Sequence, residues 1–220
     1  EWFKEKNGKS LSFIAQLNLS EIKNLESSIS LPKKGIIYFF YSSEQESWGS
    51  DYNDKDKFKV YYSTDLNNLE KKQIPSDLSE FGIYKSCELT FSNSYSLPSW
   101  DNDFVSKELN REEKDIYDLI TYPQVNHKIF GYSNNVQGEM ELECELVTKG
   151  LYYEDYRAFD SQKKEKFERK EKEWKLLLQI DSDDKTEMMW GDSGRLYFWI
   201  KQKDLENLDF DKAWFILQCY

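Results

Sequence analysis

A chain of 220 residues with 30 Lys and Arg against 41 Asp and Glu, net charge −11, lacks the positive surface that grips nucleic-acid phosphates or an anionic membrane. Aromatic residues make up 16% of it (14 Phe, 15 Tyr and 7 Trp), enough ring area to build a core where aliphatics are sparse, and 9 Gly with 4 Pro exclude a low-complexity chain. No apolar run reaches the ~20 residues of a membrane span, and three widely spaced cysteines, Cys87, Cys144 and Cys219, without a C-x-x-C, read as buried free thiols of a cytoplasmic protein.

The chain opens on Glu1-Trp2-Phe3-Lys4, which has no signal-peptide character and no initiating Met, so it is expected to begin inside a longer protein. Phe13-Ile14-Ala15-Gln16-Leu17-Asn18 reads as a strand, and Ser20 before Glu21-Ile22 as a helix N-cap closed off by Pro32. Gly35 supplies a permissive backbone ahead of the aromatic strand Ile36-Ile37-Tyr38-Phe39-Phe40. An insertion of about twenty residues relative to the later repeat holds the polar stretch Ser42 to Lys57, with its Trp48-Gly49 pair, which reads as a surface hairpin or flap, and a strand from Phe58 to Tyr62; a short helix follows over Asp65-Leu66-Asn67-Asn68-Leu69. Residues 92–100 are loop-like, and Asn110-Arg111-Glu112-Glu113 resembles a capping box opening a helix through Ile116, Leu119 and Ile120. The alternation from Gly138 to Leu146 predicts a half-buried strand, and one long charged helix is expected from Tyr156 to Glu173, with i,i+4 pairs such as Glu168 with Lys172.

Three landmarks recur in order. Leu176-Leu177-Leu178-Gln179-Ile180-Asp181 echoes the first strand, Gly194-Arg195-Leu196-Tyr197-Phe198-Trp199 echoes the second, and Asp204-Leu205-Glu206-Asn207-Leu208 echoes the short helix. A further apolar run ending in Gln, Phe215-Ile216-Leu217-Gln218, closes the chain. The expected fold is therefore one α+β domain over 1–220, internally duplicated into two pseudo-symmetric, mainly antiparallel β lobes with short helices and one long charged helix. Repeat 1 covers about 11–91, a middle region 92–150, and repeat 2 about 151–220.

The segments 12–22, 31–40, 127–140, 174–184, 188–200 and 211–220 resemble the YwqG-like family of bacterial proteins, a domain of unknown function. The resemblance implies a duplicated, cytoplasmic α+β fold without a cofactor. It implies no reaction, and the occurrence of such domains near bacterial toxin–immunity genes points toward neutralising a partner.

His127 is the only histidine, which removes every site that needs two, and nothing in the spacing ties it to Cys144 or Ser133 as a catalytic pair. Glu139, Glu141, Glu143 and Glu145 would line one face of the expected strand as a solvated acidic stripe, suited to docking a basic protein rather than a metal. Asp181-Ser182-Asp183-Asp184 and the stretch Asp51 to Asp56 lack the Gly and closing Glu of a calcium loop and read as acidic turns. Trp190-Gly191-Asp192-Ser193-Gly194 reads as a tight turn; its alternative reading puts Trp190 and Asp192, with Tyr132 and Gln137, at the lip of a ligand site between the lobes. Gln16, Gln179 and Gln218 each end an apolar strand, and equivalent placement suggests that each amide pins the opposite lobe, with Gly35 and Gly194 as structural glycines. The composite expectation is a non-enzymatic interaction protein with a basic protein partner, binding neither nucleic acid nor membrane, with no metal and no cofactor. The alternative is a small-ligand binder or an enzyme with a site between the lobes.

Overall fold

Large apolar residues on both faces of three short strands favour a sheet buried on at least one side, and the chain builds such a sheet twice. The computed structural model describes residues 2–22, 25, 31–99, 101–121 and 126–220. In it β1 (Leu11–Asn18), β2 (Ile36–Ser42) and β3 (Phe58–Ser63) form one antiparallel sheet in that order; β4 (Trp174–Asp181), β5 (Arg195–Lys201) and β6 (Trp214–Gln218) form the other. The registers correspond closely. In the first sheet Ala15 pairs with Phe39 and Gln16 with Tyr38 after a bulge at Ile14; in the second Leu178 pairs with Phe198 and Gln179 with Tyr197 after a bulge at Leu177. Even the turns close alike, with Leu19 N–H donating to the Gly35 carbonyl and Ser182 N–H to the Gly194 carbonyl.

The inner faces pack ring against ring. Phe39 meets Phe198 edge-on with centroids 5.0 Å apart, Tyr41 lies 5.2 Å from Phe215, and Phe58 lies 4.9 Å from Phe215 and 5.7 Å from Trp214. Such tilted and edge-on pairs each add about 1 kcal/mol beyond the area they bury. Among the described residues no helix is long and apolar enough to cross a membrane.

Several expectations are corrected by this arrangement. Residues 138–146 are not a strand: α4 (Glu141–Val147) is a helix, because Met140, Cys144 and Val147 recur at helical spacing and all three are buried. The expected long charged helix is two, α5 (Tyr153–Ala158) and α6 (Ser161–Glu171). Phe159 between them is extended, and the Asp160 carboxylate caps α6 by accepting the Lys163 amide at 2.8 Å. Glu168 accordingly accepts the Tyr156 hydroxyl at 2.7 Å, and Lys175 donates to the Lys172 carbonyl at 3.0 Å.

Asp65–Leu69 is an irregular turn, whereas Asp204 and Leu205 do lie in a helix, α7 (Gln202–Glu206). The one-turn α1 (Leu19–Ile22) is capped by Asn18, whose Oδ1 accepts from the Ser20 amide and hydroxyl, rather than by Ser20. Cys87 is exposed; Cys144 and Cys219 are buried. After the short α2 (Asp103–Glu108), the Asn110 capping box forms as expected, opening α3 (Arg111–Thr121). The loop 92–100 is irregular through 99, and Trp100 lies outside the described residues.

Ser42 to Lys57 is no flap. The Trp48 carbonyl accepts the Leu217 amide at 3.0 Å and the Gly49 carbonyl accepts the Trp214 indole at 2.7 Å, so this segment edges β6 of the opposite sheet. Nor is β3 part of an insertion: it is the third strand of its sheet, where β6 stands in the other. Gly49 has φ +81°, and a Cβ there would collide with the Phe215 carbonyl. Gly150 has φ +67° and open space around it. Gly49→Ala is therefore expected to cost about 3 kcal/mol or more, from strain plus a displaced edge, and Gly150→Ala about 1 kcal/mol. Urea denaturation of the two variants against the parent chain measures the difference.

Candidate binding cleft

A buried glutamine must find partners for both ends of its amide, and two of the strand-terminal glutamines find them in the segment 126–138. Gln179 donates to the Asn126 carbonyl at 2.8 Å and accepts the Asn134 amide at 2.9 Å. Gln218 accepts the Val136 and Gln137 amides at 2.9 and 3.0 Å and donates to the Gly138 carbonyl at 3.0 Å. The Tyr197 hydroxyl and an Arg195 guanidinium nitrogen both reach the Asn134 carbonyl, and the buried Arg195–Asp181 ion pair closes at 3.0 Å. The expectation that each glutamine pins the opposite lobe is thus corrected. They fasten a segment of chain across the outer face of the second sheet, and Gln16 is exposed on the first.

His127 belongs to the same seam. Its Nδ1 accepts the Asp181 amide at 3.1 Å, which leaves Nε2 to donate to Asp183 at 3.3 Å, a wholly structural set of bonds. Among the described residues no three His, Cys, Asp or Glu side chains group as ligands for a metal ion.

The fastened segment delivers Gln137, Gly138 and Glu139 to a cleft of about 1340 Å³. Its other walls are α4, α5, α6 and the start of β4, its floor is Ile216 to Gln218 of β6, and Trp48 with Ser50 reach it from the first half of the chain. The α4 wall is firmly set. Buried Glu145 accepts the Trp174 indole at 3.1 Å and ion-pairs with Lys149 and Lys201, so this carboxylate is spent on holding α4 to β4 and β5. The four glutamates read as one stripe therefore divide: Glu139, Glu141 and Glu143 line the cleft and Glu145 lies behind it.

Seven carboxylates line the cleft (Asp101, Glu139, Glu141, Glu143, Glu154, Glu168, Glu171) against two lysines, Lys172 and Lys175. Burial, then repulsion from Glu139, Glu141 and Glu168, pushes the Glu171 carboxyl from 4.5 up to about 7. Burial likewise raises Glu141 and Glu143. Trp48 and Tyr152 stand exposed at the rim, while the rings of Tyr153 and Tyr156 already hold Arg157 and Lys164 over their faces at 5.3 and 5.5 Å. Concave shape, an excess of carboxylates over lysines and exposed rings suit a cationic group; among the described residues no His or Cys lines the walls as a nucleophile beside a base.

The sequence-predicted site residues do not converge. Trp190 is fully buried, its indole donating to the Asp181 carbonyl and its ring meeting Tyr41 and Tyr84, so it is a core residue and not the lip of a pocket. Asp192 is exposed in its turn, and Tyr132 lines only a minor crevice with Ser133 and Asn135. Gln137 alone lines the cleft. Gly35 has φ +102°, and a Cβ there would meet the Tyr62 ring. Gly194 is required for closeness rather than for φ: a Cβ there would strike the Gln218 carbonyl, while the left-handed residues of that turn are Gly191 and Ser193. Sequence reasoning missed Glu171, Glu168, Tyr152 and Trp48; their one signal was the local density of carboxylates and rings.

A family model described as a domain of unknown function, DUF1963, matches residues 1–219. The chain belongs to the DUF1963 family. No curated protein matches it.

Two outcomes follow from this geometry. Gln218→Ala leaves two amides and a carbonyl of this DUF1963 chain without partners and is expected to cost about 2–4 kcal/mol in urea denaturation, with faster amide exchange at Val136 and Gln137. Glu171 has its folded pKa raised above its unfolded value, so the folded state binds the extra proton between about pH 4.5 and 7 and is destabilised as pH rises through that window. Glu171→Gln is expected to gain about 1–2 kcal/mol at pH 8, after allowance for solvent screening, and nothing at pH 4; melting curves at the two pH values check it.

Proposed function

We propose that this chain is a non-catalytic binding protein of the YwqG-like kind, cytoplasmic and built by internal duplication, which takes a Lys- or Arg-rich segment of a basic partner protein into the acidic cleft. The matching registers and bulges of the two sheets support the duplication. One observation carries the binding reading: Glu139, Glu141, Glu168 and Glu171 line one cleft, where burial first and their mutual repulsion second raise the Glu171 carboxyl to about 7. An arriving ammonium or guanidinium offsets the excess of carboxylates over lysines, and Trp48 and Tyr152 offer ring faces beside it. A net charge of −11 draws a basic partner toward the cleft over distances of about a Debye length, roughly 8 Å in physiological salt.

The cleft's volume also admits a small organic polycation, so the test includes one. Titration calorimetry with an octa-arginine peptide and with spermine is expected to give micromolar peptide binding that weakens with added salt. Binding should strengthen as pH rises from 6 to 8 while a proton is released, because the cation favours ionised Glu171. The variant Glu139→Gln, Glu141→Gln, Glu171→Gln is expected to lose about tenfold or more in affinity, whereas Glu187→Gln with Glu206→Gln, two carboxylates away from the cleft, keeps it. Equal losses in both variants would show only general charge attraction, and tight spermine binding without peptide binding would replace the protein partner by a small ligand.

A further inference from the structure

The second sheet wears a segment of its own chain on its outer face, and the first sheet offers the corresponding groups to solvent. Gln179 pairs in register with Tyr197, two residues beyond the bulge at Leu177, and both side chains grip residues 126–134. Gln16 pairs in register with Tyr38, two residues beyond the bulge at Ile14. Here Gln16 is exposed and Tyr38 half-buried, and neither the Gln16 amide nor the Tyr38 hydroxyl has a hydrogen-bond partner among the described residues. Phe13 and Tyr61 stand exposed on either side, the Tyr38 and Tyr61 rings lying 6.2 Å apart and only 31° from parallel.

We propose that this outer face, around Gln16 and Tyr38, is a second docking surface, which takes an uncharged polypeptide loop of a partner protein in the way the second sheet holds residues 126–134.

The occupant's chemistry follows from what the two faces share and where they differ. A glutamine amide that donates and accepts, beside a tyrosine hydroxyl that donates, matches the carbonyl and amide of one stretch of backbone, as Asn126 and Asn134 show in the second sheet. The buried Asp181–Arg195 pair of the second sheet is replaced at the same register by Asn18 and Ile36. The first face thus lacks the buried ion pair that lies beneath the loop in the second; its charges stand at the margins, Glu21 against Asn18 and Lys59 paired with Asp211, and the centre around Gln16 and Tyr38 offers uncharged groups. An uncharged loop with Asn, Ser or Gly at its bend and an apolar residue against Phe13 or Tyr61 satisfies the surface. A basic segment belongs in the cleft, so the two surfaces select different parts of a partner.

Neither side chain holds the fold together, which makes the test clean. A displayed library of cyclised random peptides is selected against the full chain, and the affinities of the recovered peptides are measured by fluorescence polarisation. The expected binders are uncharged, lose about fivefold in affinity on Gln16→Ala and again on Tyr38→Phe, and are unaffected by Glu139→Gln with Glu171→Gln. Any of four results overturns the proposal: no binders; binders insensitive to both changes; binders lost with the cleft variant instead; or cellohexaose binding that Tyr38→Phe leaves intact while no peptide binds. Self-association in analytical ultracentrifugation that Gln16→Ala abolishes would assign the face to a second copy and overturn the proposal as well.

Discussion

The contact between Phe39 and Phe198 is the constraint on which the rest depends. These two residues hold the same register position in their respective sheets, one residue beyond the pairing slip, and they meet each other across the interior. The ring pair thereby fixes where the two sheets face each other. Around it Tyr41, Phe58, Phe215, Trp214 and Trp190 interlock edge to face, and none of these rings has room to shift without another shifting. The composition makes sense in this light: a chain rich in rings closes two small sheets on each other where short aliphatics would leave voids.

Fixing the sheets leaves their outer faces to be settled separately, and here the two halves part. The second sheet places Gln179, Asp181, Arg195, Tyr197 and Gln218 on its outer side, and all five are bonded to or beneath the segment 126–138. The segment is held largely through its backbone, with the His127 and Asn134 side chains adding bonds of their own, and it delivers Glu139 and α4 to the cleft wall. The first sheet has the same scaffold with Trp2 and Phe3 packed over Phe40 at one end and rings open to solvent elsewhere. An asymmetric protein thus arises from like parts by covering one face and leaving its counterpart bare.

The strands were legible because each is a run of large apolar residues ended by Gly or by a polar cluster, and the capping box at Asn110 carried its own mechanism. Residues 138–146 were not legible, since glutamates at every second position imitate a strand while Met140, Cys144 and Val147 keep a helical period; the buried side chains decide in favour of the helix. The break at Phe159-Asp160 was signalled by an Asp able to cap, yet the charged helix pattern ran straight across it. Trp190 was misplaced because a Trp beside Gly and Asp in a turn looks exposed, and only the packing of Tyr41 and Tyr84 shows that the turn folds it inward. The cleft was beyond sequence reading for a different reason. It brings together Trp48, Glu139, Glu171 and Ile216, which no local period relates, through long-range bonds such as Trp48 to Leu217 and Gln218 to Gly138.

Carboxylates held close enough to resist ionising lower stability, and a surface without a task would be expected to spread them apart. Around this cleft the chain does the reverse. It anchors α4 from behind by the paired carboxylate of Glu145, locks α6 at its start with Asp160, and ties the 126–138 segment with buried glutamines. The repelling groups Glu139, Glu141 and Glu171 are therefore carried on supports that cannot relax away from one another. Glu145 shows what the same helix does when a carboxylate is meant for structure: it is fully buried and matched by two lysines. Glu141, one turn earlier in the same helix, instead lines the cleft, its carboxylate accepting the Met140 amide, so a single helix carries one carboxylate fastened from behind by lysines and one turned to the cleft.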